Sequence, residues 1–396
     1  MKKTVFELPP AFLERAGRAG APRSQHTTWF SRLFGFHESK QDLGVEATPN
    51  WVRSQVKFDE AEMTLTCPNG KVYACGTFAT PSVSDLRQRL QSSASASASA
   101  SSASASSATF TNIVADVRTL LHDPSNSNAV FQAASQFNCL EMVHSHVSPE
   151  EGIESYAADR TQGPICAVAC AAGTFYRNYL VRLPVPVQGG AQDPTAAGGA
   201  GAERGAGRQR QGQRGQSRDE QINTMCDVEA IVDNARHNYW HVRNGYLLPV
   251  DDSSLEKLRL SNVLSEKREA CVSAVRVGVQ HDTQVTSEGL GHTVTQVYAS
   301  AVPVGYDKVT PPVSSNGMRR KELWEPLAQL VLEATYEACL AVAALQSVAT
   351  GKRVTCYLTK VGGGVFQNDD RWIVAAIQRA LDIHKHAAVD VKCVHY

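Results

Sequence analysis

The sequence has no CxxC pair; its 10 cysteines stand singly, at 67, 75, 139, 166, 170, 226, 271, 339, 356 and 393. That spacing excludes a zinc finger or a disulfide framework and leaves no metal-ligand cluster. Neither sign of charge is in excess. Lys+Arg and Asp+Glu both total 39, so no net field favours a nucleic acid or an anionic membrane. No apolar run of bilayer length is free of charge, because Glu325, Glu333 and Glu337 interrupt Leu323–Val348. Met1–Pro10 has two lysines but an apolar part too short for a secretory signal. The expectation is a cytoplasmic or nuclear protein with no membrane partner, no cofactor and no metal.

What is present is ordinary for a globular protein: 396 residues, of which 42% are hydrophobic and 20% charged. Two stretches cannot bury enough surface to offset their ordering entropy and are expected to be flexible. They are the Ser/Ala repeat Ser92–Ser107 and the Gly/Arg/Gln-rich insertion Gly189–Arg218. They divide the chain into a small β-containing module over 1–91, a linker over 92–107 and an α/β domain over 108–396. In the module, Trp29–Phe36 is too aromatic to stay exposed, and strand-like alternation flanks the turn Cys67-Pro-Asn-Gly70.

Within the large domain, Thr111–Val114 and Ala129–Ala134 read as strands, with a short helix or turn at Asp116–Leu121. The apolar runs Ile165–Ala172 and Tyr176–Leu183 read as two more buried strands, Ile222–His237 as a helix, and Leu255–Glu269 as a charged helix. Strands are expected at Ser273–Gln280, Thr293–Val302, Val354–Lys360 and Val389–Val394, and helices at Lys321–Gln346 and Arg371–His384. This run of βαβ units implies a mostly parallel sheet between helices.

Val354–Lys360 empties into Gly362, Gly363 and Gly364, and Asn368, Asp369 and Asp370 can open the helix that follows. Backbone free of Cβ atoms, ahead of a helix N-terminus, suits a phosphate; a tight strand-to-helix connection needs the same glycines.

Three blocks resemble the macro domain, the α/β/α module that binds ADP-ribose. The first is Ile113-Val-Ala-Asp-Val-Arg-Thr-Leu120 with Ala129-Val-Phe-Gln-Ala-Ala-Ser135; the second is His292-Thr-Val-Thr-Gln296; the third is Gly362-Gly-Gly-Val-Phe366. The resemblance covers roughly Ala108–Tyr396 and implies a three-layer fold with a largely parallel sheet. It implies that Asp116 accepts from an adenine amino group, that Gly362, Gly363, Gly364 and Val365 cradle a pyrophosphate, and that Phe366 lies by the distal ribose. Asp116 is equally well placed to cap a helix.

The chain also departs from that pattern. Gln132 and Ser135 stand where the family strand has asparagines, and Gln136–His146 replaces its first glycine-rich phosphate loop. This replacement holds Asn138, Cys139, Glu141, His144 and His146. Asn138 and Glu141, with Asp159, are the candidate acids and positioning groups for hydrolysis, and Arg177 and Asn178 are candidate clamps for phosphate or ribose. The expected function is binding of ADP-ribose, a related nucleotide or an ADP-ribosylated protein, with or without hydrolysis. The alternative is a non-catalytic scaffold whose pocket has lapsed, and a Cys139-dependent enzyme is a third reading.

Overall fold

A computed structural model describes residues 27–38, 49–97, 107–183 and 214–395. The strands in chain order are β1 (Lys57–Asp59), β2 (Thr64–Thr66), β3 (Val72–Ala74), β4 (Thr77–Ala79), β5 (Thr109–Val114) and β6 (Val130–Ser135). They continue with β7 (Trp240–Arg243), β8 (Tyr246–Pro249), β9 (Gly278–Gln284), β10 (Thr293–Ser300), β11 (Val354–Leu358) and β12 (Val389–His395). The helices are α1 (Trp29–Phe34), α2 (Pro49–Ser54), α3 (Val83–Ser97), α4 (Val117–His122), α5 (Gln162–Ala169), α6 (Ala171–Phe175) and α7 (Cys226–Ile231). Then come α8 (Asn234–His237), α9 (Ser254–Leu260), α10 (Val263–Glu266), α11 (Arg268–Ala274), α12 (Arg320–Thr350) and α13 (Asp370–Ile383).

Seven strands make one sheet in the order β4-β9-β10-β6-β11-β12-β5. Every ladder from β10 to β5 is parallel, and β9 alone runs against both of its neighbours. The fold is therefore mixed α/β with a mostly parallel sheet, as the βαβ pattern implied. Central β6 is apolar on both sides: Val130 joins the cluster built on α12, whereas Phe131 and Ala133 join Val117, Leu121 and Cys166 from α4 and α5. A strand covered on both faces reads as a continuous apolar run, which is why it was legible. At the edge of the parallel set, β12 alternates instead, with Val389, Val391 and Cys393 buried.

α12 is long and apolar enough to cross a bilayer, but it is mostly buried inside the fold. Its Glu337 side chain is fully buried and pairs with Arg87 of α3 and Arg379 of α13. Burial pushes the Glu337 carboxyl up, and the two arginines more than reverse this, leaving it below its ordinary value.

Several expectations are corrected. Ile165–Ala172 and Tyr176–Leu183 are helical: α5 and α6 run into a π turn at Tyr176–Leu180. Their small residues allow close approach, and a Cβ on Gly173 would lie 2.6 Å from Thr283 Oγ1. The helix expected over Ile222–His237 breaks at Asp233, and the one over Leu255–Glu269 breaks at Asn262; both residues are left-handed, with φ of 54° and 56°. Ser273–Gln280 begins in α11 and enters β9 only at Gly278.

Within the module expected over 1–91, the described residues 27–38 and 49–91 also join the main sheet and its helices. Beyond the small sheet β1-β2-β3, they supply β4 to the edge of the main sheet and α3 to the face of α12. The aromatic run is core, with Phe30 and Phe34 fully buried against Phe175. The Ser/Ala repeat starts inside α3, which continues to Ser97, while 98–106 lie outside the described residues. Most of the 189–218 insertion lies outside them too. Its end does not behave as a loose loop: Gln216 is buried and donates to Asn138 O and Arg177 O, both at 3.1 Å.

Candidate functional site

Parallel strands deliver their C-terminal ends to one edge of the sheet, so the loops after β5, β6, β10 and β11 all emerge there. β11 pairs with β6 only through Cys356↔Val130 and Tyr357↔Phe131. Beyond these pairs Gln162, the first residue of α5, meets β6: its Nε2 donates to Gln132 O at 2.7 Å and its Oε1 accepts from Ala134 N at 2.8 Å. Gly163 permits the approach, since a Cβ there would sit 1.9 Å from Ala134 O and 2.3 Å from Glu141 Oε2. Gln132, expected to face a ligand, is buried and ties the strands together, its Oε1 accepting from Thr359 N at 3.0 Å. Open α/β sheets take ligands outside the carboxyl ends of their strands, where the connections diverge.

The loop after β6 is interior. Ser135 donates to Leu140 O at 3.2 Å. Asn138 is fully buried, donating to Gln221 Oε1 at 2.9 Å and accepting from Leu140 N at 3.1 Å. Arg177 is equally enclosed: it donates to Cys139 O, Gln280 Oε1 and Thr174 Oγ1, and its guanidinium lies 3.6 Å from the centre of the Tyr298 ring. Both residues were expected at a ligand; their polar groups are spent inside the core. Asn178 is buried as well, with its amide nitrogen on Pro149 O at 3.0 Å. The Cys139 thiol is pushed up to about 12 by burial, which removes the nucleophilic thiolate at neutral pH.

Glu141 is different. It is a carboxyl 3% exposed, and its Oε1, like Asn178 Oδ1, has no hydrogen-bond partner among the described residues. Burial drives its carboxyl well above the ordinary range; Arg177 and Ser135 pull it back, and Asp159 adds to the rise. A carboxyl whose pKa is raised by burial holds its proton more tightly than a solvated one and is suited to the role of a proton donor. Its backbone is held by Tyr156, whose phenol oxygen accepts from Glu141 N at 3.0 Å. Asp159 ends the 3-10 turn Glu154–Ala158, accepts from Thr161 N at 2.8 Å, and stays partly exposed.

The loop after β11 meets the loop after β10. Gly362 has φ of 75°, and a Cβ there would sit 2.5 Å from the Ala301 side chain. Asn368 donates to Val302 O at 2.8 Å, Gly305 N donates to Phe366 O at 3.0 Å, and Asp369 caps α13 through Arg371 N at 2.9 Å. Gly363 N and Gln367 N are used within the loop, on Lys360 O and Gly364 O. The amides of Gly364, Val365 and Phe366 have no protein acceptor among the described residues. Phe366 packs edge-on to Tyr306 at 5.5 Å and 5.8 Å from Tyr246. Tyr246 ties this side to the loop after β6 by donating to Met142 O at 2.6 Å. Burial raises its phenol, with Tyr306, Glu141 and Asp159 adding to the effect.

Comparison of the chain with protein-family models, with curated proteins and with solved structures found no match.

Asp116 lies two strands from β11 at the same edge and caps α4, one carboxylate oxygen accepting from Arg118 N at 2.7 Å. The His144 and His146 rings stack 4.8 Å apart, but no metal-binding group of His, Cys, Asp or Glu exists among the described residues. Two open hollows on the outside of α13 are lined by that helix alone. Tyr156 was among the polar groups that the sequence marked ahead of Ile165–Ala172, whereas Tyr246, Tyr306 and the docking role of Gln162 were missed. One signal for α5 was available: Pro164 falls in its first turn just after Thr161, a helix-start pattern.

Proposed function

We propose that this chain is a divergent macro-like α/β/α protein that binds ADP-ribose, a related nucleotide or an ADP-ribosylated protein at the C-terminal edge of its sheet. The supporting observation is the loop Gly364–Phe366, which presents three backbone donors without acceptors among the described residues, beyond the end of β11. Such a loop ahead of a helix N-terminus attracts phosphate oxygens. Phe366 and Tyr306 offer apolar surface for a ribose, and Asp116 retains an oxygen for an adenine amino group.

In the hydrolytic form of this proposal, water adds to the anomeric carbon of the distal ribose and the bond from that carbon to its leaving oxygen breaks. Protonated Glu141 gives its proton to the leaving oxygen, and the proton lost by water goes to Asp159. One observation favours the scaffold reading instead: Asn138, Arg177 and Glu141 are closed off from solvent.

Calorimetry with ADP-ribose, ADP and NAD separates the two, since a scaffold binds none of them. Gly364→Val tests the loop. A Cβ at Gly364 meets nothing within 4 Å and its φ is not left-handed, so melting should be unchanged while nucleotide binding is lost. Gly363 is a poorer probe, because a Cβ there already approaches Ile373 Cδ1 to 3.1 Å. Unchanged affinity in folded Gly364→Val rules out the phosphate loop.

A further inference from the structure

The segment Thr28–Glu38 reaches the candidate site from far away in sequence. Thr28 caps α1, Gly35 ends it in the left-handed region, and the chain then runs to Glu38. The Glu38 carboxylate is 4% exposed and meets four donor contacts. Ile153 N donates to its two oxygens at 2.9 and 3.0 Å, Glu154 N at 2.6 Å, and the Tyr179 hydroxyl at 2.5 Å. Gly152 makes room: its φ is 87°, and a Cβ there would lie 2.6 Å from the Glu38 carboxyl carbon. Trp29 adds a second clamp, its indole donating to Glu154 O at 2.8 Å.

These contacts converge on the start of the 3-10 turn Glu154–Ala158, which carries Tyr156 and ends at Asp159. Tyr156 accepts from the Glu141 amide. We propose that Glu38 is a positioning residue for the candidate site: it anchors the 152–154 backbone and, through Tyr156, holds the Glu141 backbone in place. Thr28–Glu38 is then a strap that completes the site rather than a neighbouring module. The inference rests on the proposed role of Glu141, but the strap can be tested without turnover.

The test is amide hydrogen exchange, read by mass spectrometry on the full chain. In Glu38→Ala, peptides spanning 152–158 and 141–144 are expected to exchange at least tenfold faster, with β10 and β11 unchanged. Tyr156→Phe removes the acceptor and leaves Glu38 seated, so it should accelerate 141–144 alone. Glu38→Gln, which keeps one acceptor oxygen, should fall between wild type and Glu38→Ala. Unchanged exchange at 141–144 in Glu38→Ala overturns the proposal, and so does uniform acceleration across the chain, which marks a purely structural contact. Calorimetry of wild type with ADP-ribose runs alongside. Absence of binding there sinks the proposed ligand and leaves the exchange data to decide the strap.

Discussion

Glu38→Gln is expected to change how stability depends on pH. Burial pushes the Glu38 carboxyl from its ordinary 4.5 up to about 7, against the opposing pull of the Ile153 amide, the Tyr179 hydroxyl and the Glu154 amide. The ionisable groups acting on it are the Glu154 carboxylate, which raises it further, and the Tyr179 and Tyr156 phenols. A carboxyl raised on folding contributes stability that is complete below pH 4.5 and disappears as pH climbs through 7. At about 1.4 kcal/mol per pH unit, the displacement is worth about 3 kcal/mol. Urea unfolding of wild type and Glu38→Gln from pH 4.5 to 8.5 isolates this group, because other titrations cancel in the difference. Wild type should lose about 3 kcal/mol relative to the variant across that range. A flat difference, or one in which wild type gains as pH rises, would falsify the account. It would mean that the amides and the Tyr179 hydroxyl hold the carboxylate ionised and outweigh its desolvation.

Three further outcomes follow from the contacts. Arg177→Met should cost about 3 kcal/mol in urea unfolding, because it leaves Cys139 O and Gln280 Oε1 without their donor; an unchanged stability with weakened nucleotide binding would return Arg177 to the ligand. Glu337→Gln should cost about 2 kcal/mol by the same measure, less than a fully buried pair, since Arg87 and Arg379 reach solvent and keep Glu269. Asp116→Ala should lose about 1 kcal/mol as a helix cap and, if it meets adenine, weaken ADP-ribose about tenfold in calorimetry while sparing ribose 5-phosphate.

The sequence was most legible where side-chain shape and period agreed. β10, β11 and β12 are rich in β-branched and aromatic residues, β6 is an apolar run, and α12 and α13 keep their apolar stripes, so each was found within a few residues of its ends. Ile165–Ala172 and Tyr176–Leu183 were misread as strands because a short apolar run has no decisive period, although the alanines of the first favour a helix. Single left-handed residues, Asp233 and Asn262, broke helices that composition made continuous. At the site, polarity was visible but its partners were not. Asn138 and Arg177 looked like ligand groups, yet they satisfy backbone and side-chain groups contributed by distant segments. Glu141 looked much the same in sequence; an unpartnered oxygen and a raised carboxyl set it apart.

The seating of β4 at the sheet edge also bears on how the chain acquires its fold. β4 pairs with β9 through Phe78↔Gln280, and Gln280 Nε2 donates to Cys75 O and Gly76 O across more than 200 positions. At synthesis rates of about 5–20 residues per second, about 10–40 s separate the emergence of β4 from that of its partner. During that interval Phe30, Phe34 and Tyr73 first wait for Phe175, which closes over them in the native core. The nascent chain therefore carries an aromatic surface and an unpaired strand through much of its translation, a state suited to chaperone capture and unsuited to rapid independent folding.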